Sequence, residues 1–327
     1  MPARKPIPRI KPPALEPGDT IGIVAPASNI KRELLDAGCE RLHRLGYKTT
    51  HSESIFEQDL YFAGSVQRRV REIEDMFADP KVRAILCARG GYGANYLLSA
   101  IDLRKIKSHP KIFVGYSDIT SLLTYWTDAA GLVTFHGPMV TKDFSQPDGV
   151  DIASWESAVR GALAWAIDAG PDSGVQPLVE GRAEGIIYGG CLSMLSASLG
   201  TPYEVHTDGT ILFIEDIATK PYQIDRMLMQ LKLAGKLDRV RGIVFGEMLD
   251  CAQKNDQGYT LSEILLRVLA PLGIPIACGL RSGHVSRQNV TLPLGVRASL
   301  EVSSREVQLK ILEAATNKEP RHARKNS

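Results

Sequence analysis

The chain has 327 residues, 44% of them hydrophobic and 23% charged, with a formal net charge of +2. That is ordinary for a globular protein with room for two cores, and too little charge to argue for a nucleic-acid partner. No run approaches the ~20 apolar residues needed to cross a bilayer. The basic, proline-rich start (Pro2, Pro6, Pro8, Pro12, Pro13) lacks the apolar stretch of a secretory signal. Five cysteines (Cys39, Cys87, Cys191, Cys251, Cys278) are scattered and never stand at metal-ligand spacing. The expectation is a cytoplasmic protein with reduced, mostly buried thiols, no membrane segment, no bound metal and no cofactor.

Residues 1–13 read as an extended lead and 20–25 as a first buried strand ending in Pro26-Ala27-Ser28. A helix over 31–45 is stopped by Gly46, and Tyr47 opens a short strand. Helical spacing returns over 68–77, and 82–87 is again an apolar strand. Ala88-Arg89-Gly90-Gly91-Tyr92-Gly93 then leads into a helix reaching about residue 100. A short run over 112–114 meets Gly115-Tyr116-Ser117-Asp118, followed by a helix over 118–129 with Leu122, Leu123 and Trp126 on its apolar face. Alternating strands and helices predict a parallel, flavodoxin-like α/β sheet covered on both faces. Ligands of such sheets bind beyond the carboxyl ends of the strands. The loops at Pro26–Ser28, 89–93 and 115–118 would all lie on that rim.

Helical spacing over 152–167 closes this first unit, drawn as residues 14–167. Asp168-Ala169-Gly170-Pro171-Asp172-Ser173-Gly174 is polar and breaker-rich, so 168–180 is read as a linker. Beyond it, strands over 183–188, 210–214, 242–245 and 274–278 alternate with helices over 224–233 and 261–269. An antiparallel pair, 298–302 with 306–311, ends a smaller, mixed, β-rich domain spanning 181–313. Residues 314–327 read as a tail.

Ser117 falls at a sharp strand-to-helix turn, where a nucleophile is held clear of its own backbone and faces the positive end of a helix. Read alone, Gly-Tyr-Ser-Asp is more often a loop with a helix cap than a nucleophile turn. A serine nucleophile needs a base, and the base needs an orienting acid. Of seven histidines, His136 (Phe-His-Gly-Pro) and His284 (Ser-Gly-His-Val) stand beside glycines in expected loops. Glu215-Asp216 follows the apolar run 211–214, where carboxylates need partners. Arg226 or Lys220 would make them a structural ion pair; a histidine would make one of them an orienting acid. Gly90 or Gly91, with the backbone N–H of Asp118, could line an oxyanion hole. With no Gly-Lys-Ser/Thr and no Gly-x-Gly-x-x-Gly after the first strand, a nucleotide site is disfavoured.

Taken together, the motifs resemble a known family. They are Gly-Asp-x-Ile-Gly-Ile-Val-Ala-Pro (18–26), Ala-Arg-Gly-Gly-Tyr-Gly (88–93), Gly-Tyr-Ser-Asp-Ile-Thr (115–120), His-Gly-Pro (136–138) and Gly-Gly-x-Leu (189–192). Ile-Glu-Asp (214–216), Pro-Tyr-Gln-Ile-Asp-Arg-Met-Leu (221–228), Gly-His (283–284) and Leu-Pro-Leu-Gly (292–295) follow in order. The chain resembles the LD-carboxypeptidases, muramoyltetrapeptide-cleaving serine peptidases whose family includes microcin C self-immunity peptidases. The resemblance covers about residues 14–313. It implies Ser117 as nucleophile, Glu215 as orienting acid and His284 as general base, contributed by two domains, and a homodimer. The order Ser, Glu, His also occurs in α/β-hydrolases, but Ile119 stands where Gly-x-Ser-x-Gly has its second glycine. Cys191 stands where the family often has Asn after Gly-Gly, which bears on substrate preference.

The implied activity is metal-independent hydrolysis of the bond between an L-diamino acid and terminal D-alanine in murein tetrapeptides recycled in the cytoplasm. A detoxifying peptidase for peptidyl-nucleotide antibiotics is the same-fold rival. It would need an aromatic clamp for the base, which the sequence does not locate. A non-catalytic muropeptide-binding protein is the rival of another class, and the presence of all three triad residue types argues against it.

Overall fold

The structure, a computed structural model, describes residues 7–167, 174–252 and 258–318. The apolar runs that read as buried strands form the centre of a first sheet: β1 (Thr20–Val24), β3 (Val82–Cys87) and β4 (Ile112–Gly115). With β2 (Lys48–Thr50), β5 (Thr134–His136) and β12 (Leu292–Leu294), the order is β12-β5-β4-β3-β1-β2. All pairs are parallel except β12 on β5. Helices α1 (Arg32–Arg44), α2 (Val66–Ala78), α3 (Leu103–Ser108), α4 (Thr120–Tyr125) and α5 (Ile152–Val159) accompany it. Caps fall where the chemistry asks: Ser65, Asp102 and Asp151 accept amide hydrogens at the starts of α2, α3 and α5.

The second sheet is mixed, with eight strands against six in the first. These are β6 (Trp165–Ile167), β7 (Gln176–Val179), β8 (Gly181–Cys191), β9 (Thr210–Glu215), β10 (Gly242–Gly246), β11 (Ile276–Leu280), β13 (Arg297–Val302) and β14 (Val307–Ile311). Its parallel centre is β8-β9-β10-β11, and its edges are antiparallel. Helices α6 (Leu192–Ala197), α7 (Pro221–Leu233) and α8 (Leu261–Leu269) cover its outer face. One continuous core joins the sheets: Val114, Phe135 and Leu292 of the first pack with Phe213, Val244 and Leu300 of the second.

Several expectations change. Residues 165–167, expected to continue a helix, form β6 instead, because Gly161 turns the chain at φ +70° and β14 supplies a partner. The helix expected after Gly93 is only a 3₁₀ turn, Ala94–Leu97. The chain also crosses between the sheets three times: β6 precedes the expected linker yet joins the second sheet, β12 returns to the first, and β13 goes back to the second. Of that linker, 168–173 lie outside the described residues, and 176–179 form edge strand β7. The described parts of the expected tails are packed. The Ile10 amide donates to Gly131 O at 2.8 Å, Ala14 and Asn317 exchange with the opposite segment, and Ala315 is buried. Their backbone groups find partners in neighbouring segments, which composition does not report. The rest of both tails lies outside the described residues.

Beneath the Ser117 turn, Trp126 is fully buried and meets Phe113 and Phe77 edge-on, with ring centroids 4.5 and 5.5 Å away. Trp126→Ala should lower stability by about 3–5 kcal/mol, read as a fall in denaturant midpoint with unchanged m value.

Candidate active site

The site forms where the carboxyl ends of β3, β4 and β5 meet those of β9 and β11. Ser117 follows β4 with φ +63°, a left-handed conformation that is unusual outside glycine, and its side chain is only half-buried. Strain of this kind costs about 1–3 kcal/mol and persists only where the surroundings impose it. Here they do. Gly90 lies against the turn so closely that a Cβ there would sit 2.9 Å from Ser117 Cβ and 3.2 Å from its Oγ. The Asp118 carboxylate accepts the Ala94 amide at 2.7 Å, tying the glycine-rich loop to the nucleophile turn.

A second layer holds these loops. Arg69 on α2 is buried, and its guanidinium donates to Pro26 O at 2.8 Å and Gly93 O at 2.9 Å. Its neighbour Arg68 pairs with Glu72 at 2.9 Å, and Glu72 accepts the Ala25 amide at 2.8 Å. Gly91, by contrast, packs on Ser28, whose hydroxyl accepts the Tyr92 amide.

Glu215 ends β9 and is completely buried. Its Oε2 accepts two hydrogen bonds from His284, from the amide at 3.0 Å and from Nδ1 at 2.7 Å. Its Oε1 faces His136 Nε2 at 3.8 Å. Burial by itself pushes the Glu215 carboxyl up; the two imidazoles outweigh burial and hold it at about 2. His284 sits on a loop whose Gly283, at φ +95°, runs so near Glu215 that a Cβ there would lie 2.7 Å from Cδ. The buried Asn289 side chain braces this loop, accepting from Gly283 N and donating to Gly283 O. The His284 ring stands edge-on to Tyr116, the residue before Ser117, at 5.1 Å between centroids.

Of the two carboxylates after the apolar run, Asp216 is a structural group, accepting from Ser193 N, Ser193 Oγ, Ile217 N and Thr219 Oγ1. Neither Arg226 nor Lys220 pairs with Glu215; Arg226 lies over the Tyr222 ring. Cys191 N–H donates to Thr120 Oγ1 beside the nucleophile turn, and burial pushes its thiol well up, as it does that of Cys87. Among the described residues, no cluster of His, Cys, Asp or Glu is arranged to hold a metal ion, and no helix is long and apolar enough to cross a membrane. Sequence reasoning missed Arg69, Asn289 and Ser282. The helical spacing of Arg69 with Ile73 on α2 was the available signal for the first; the other two leave none.

Two family descriptions match the chain: the LD-carboxypeptidase N-terminal domain over residues 21–137 and the LD-carboxypeptidase C-terminal domain over 184–300. A Bacillus subtilis relative, a probable murein peptide carboxypeptidase, is 39% identical over 90% of this chain and 92% of its own. The chain belongs to the LD-carboxypeptidase family. It is therefore a peptidase, a hydrolase. Among solved structures, muramoyltetrapeptide carboxypeptidase from Oxalobacter formigenes matches with a TM-score of 0.81 at 29% identity, over 92% of this chain and all of that one. A structure of MccF in complex with glutamyl sulfamoyl guanosine matches with a TM-score of 0.85 at 26% identity, over 94% and 99%.

Burial raises the Asp118 carboxyl to about 6, against the Ala94 amide and the Arg69 guanidinium, which favour its charge. A raised carboxyl contributes stability that is present below its ordinary value of 3.8 and is lost as pH rises to about 6. Asp118→Asn keeps an acceptor for Ala94 and removes this loss. The stability of the variant relative to wild type should therefore rise by about 2 kcal/mol between pH 4 and 7, measured by denaturant unfolding at each pH.

Proposed function

We propose that the protein is a serine carboxypeptidase that releases D-alanine from murein tetrapeptides, cleaving after an L-diamino acid. The observation that carries this reading is the strained, half-buried Ser117 next in sequence to Tyr116, whose ring meets His284 of the buried Glu215–His284 pair. Ser117 Oγ attacks the carbonyl carbon of the diamino acid. His284 Nε2, the ring nitrogen that Glu215 leaves available, takes the hydroxyl proton and passes it to the departing D-alanine amine. Water, deprotonated by the same nitrogen, then cleaves the acyl ester and frees the tripeptide. Glu215 fixes the tautomer with hydrogen on Nδ1. The Asp118 N–H and that of Gly90, favoured over Gly91 because it lies against Ser117, stabilise the oxyanion. The murein-peptide names of relatives in Bacillus subtilis and Oxalobacter formigenes support the substrate class. Five free cysteines support a reducing, cytoplasmic setting in which such peptides are recycled. A homodimer belongs to the same reading.

One observation favours a second reading. Tyr61, Phe62, Tyr92 and Tyr96 form a cluster with centroids 4.4–6.1 Å apart, next to Gly90-Gly91 on the rim. The three tyrosines are exposed. Such rings suit a planar base, and the likeness to MccF carrying a sulfamoyl nucleoside points the same way.

Purified protein should release D-alanine from L-Ala-γ-D-Glu-meso-diaminopimelate-D-Ala, unaffected by chelator, and Ser117→Ala should lower the rate about a thousandfold or more. Gly90→Ala, which crowds both nucleophile and oxyanion, should lose about 100- to 1,000-fold in kcat. Hydrolysis of a peptidyl sulfamoyl adenylate with no release from the tetrapeptide would reverse the order of the two readings.

A further inference from the structure

His136 is fully buried on β5, and no step above uses it. Its hydrogens can be counted. Ser282 Oγ donates its single hydrogen to Val290 O at 2.9 Å. The 2.9 Å contact between Ser282 Oγ and His136 Nδ1 therefore has the imidazole as donor, so Nδ1 carries hydrogen. A neutral ring would then turn a bare Nε2 lone pair toward Glu215 Oε1 at 3.8 Å, two acceptors facing each other out of water. Both atoms otherwise lack a hydrogen-bond partner. A hydrogen on Nε2 replaces that repulsion with an ion pair at 3.8 Å.

We propose that His136 is a positioning residue carrying hydrogen on both ring nitrogens, and that it clamps Glu215 Oε1 so that Oε2 alone serves His284. The carboxylate is then held from both ends, by His284 from the second sheet and His136 from the first. The cation on His136 offsets the charge of Glu215 and moderates its pull on the proton that His284 must give back. The groups around His136 fit this role. Glu215 faces it from β9, with His284 beyond; Tyr116, at the end of β4, lies 6.0 Å away between centroids. Asp143 lies near Tyr116, and the Phe213 ring is 5.0 Å from that of His136. The catalytic part of this role rests on the Ser117–His284–Glu215 reading; the hydrogen count does not.

The test is histidine-selective nitrogen NMR on the ligand-free enzyme, from about pH 6 to about pH 8. The expected result is one histidine protonated on both nitrogens throughout, its signals lost in His136→Gln. A His136 spectrum with hydrogen on Nδ1 alone would overturn the proposal, whatever the enzyme's activity. In kinetics, His136→Gln should lower kcat by about 10- to 100-fold, the loss typical when the outer partner of a functional histidine side chain is removed, with KM little changed. Because a cation is gone from beside the Glu215–His284 pair, the acidic limb of kcat/KM should move to higher pH. Ser282→Ala, a milder change, should move both readouts the same way. A folded His136→Gln with unchanged kcat and pH profile would defeat the positioning role. Loss of the Ser117 mechanism itself would show separately, as undiminished turnover by Ser117→Ala.

Discussion

A carboxylate with no access to water organises this molecule. Glu215 lies at the end of the central strand pair of the second sheet, completely buried, and an unpartnered charge there would cost several kcal/mol. Its partners come from both sheets: His284 from the loop after β11, and His136 from β5 of the first. The sheets therefore have to abut, and the packing shows how. Strand β12 crosses over to pair with β5, with Leu292 opposite His136, and Phe135, Phe213 and Leu292 fill the shared core. Gly283 lets the His284 loop approach the carboxylate, and Asn289 fixes that loop's backbone.

The Ser117 side is built on a different principle. Ser117 is strained, and local propensity does not hold it there. Gly90, the Asp118–Ala94 bond and the buried Arg69 hold the turn from three sides. The strained residue stands at the carboxyl edge of a parallel sheet, where neighbouring strand ends converge on one rim. The strained Ser117 on one sheet and the buried Glu215–His284 pair on the other make a candidate site that exists only while the interface holds.

Much of this was legible in the residues. The apolar runs of β1, β3, β4, β9 and β10 announce buried strands whatever their partners, and Gly-Tyr-Ser-Asp after such a run marks a sharp strand-to-helix turn. The resemblance then singled out Glu215 and His284 from residues that pattern alone left undecided. What pattern could not show is set by partners far away in the chain. Strands β5, β6 and β12 have three residues each, too short for a period, and exist because another strand lies alongside. Ala315 and Thr316 look like a tail but are buried, with Thr316 bonded to Val159 O and Asn317 paired to the N-terminal segment. His136 was visible as one of two histidines beside a glycine, yet its place on the same carboxylate as His284 depends on a contact between residues 79 positions apart.

The most direct test joins the two halves of the site in one reading. A serine-directed fluorophosphonate should label Ser117, identified by peptide mass mapping, and Glu215→Gln should slow that labelling strongly while the protein stays folded. Labelling of a different serine, or a Ser117 rate indifferent to Glu215→Gln, would contradict the coupling of nucleophile to buried acid on which this account stands.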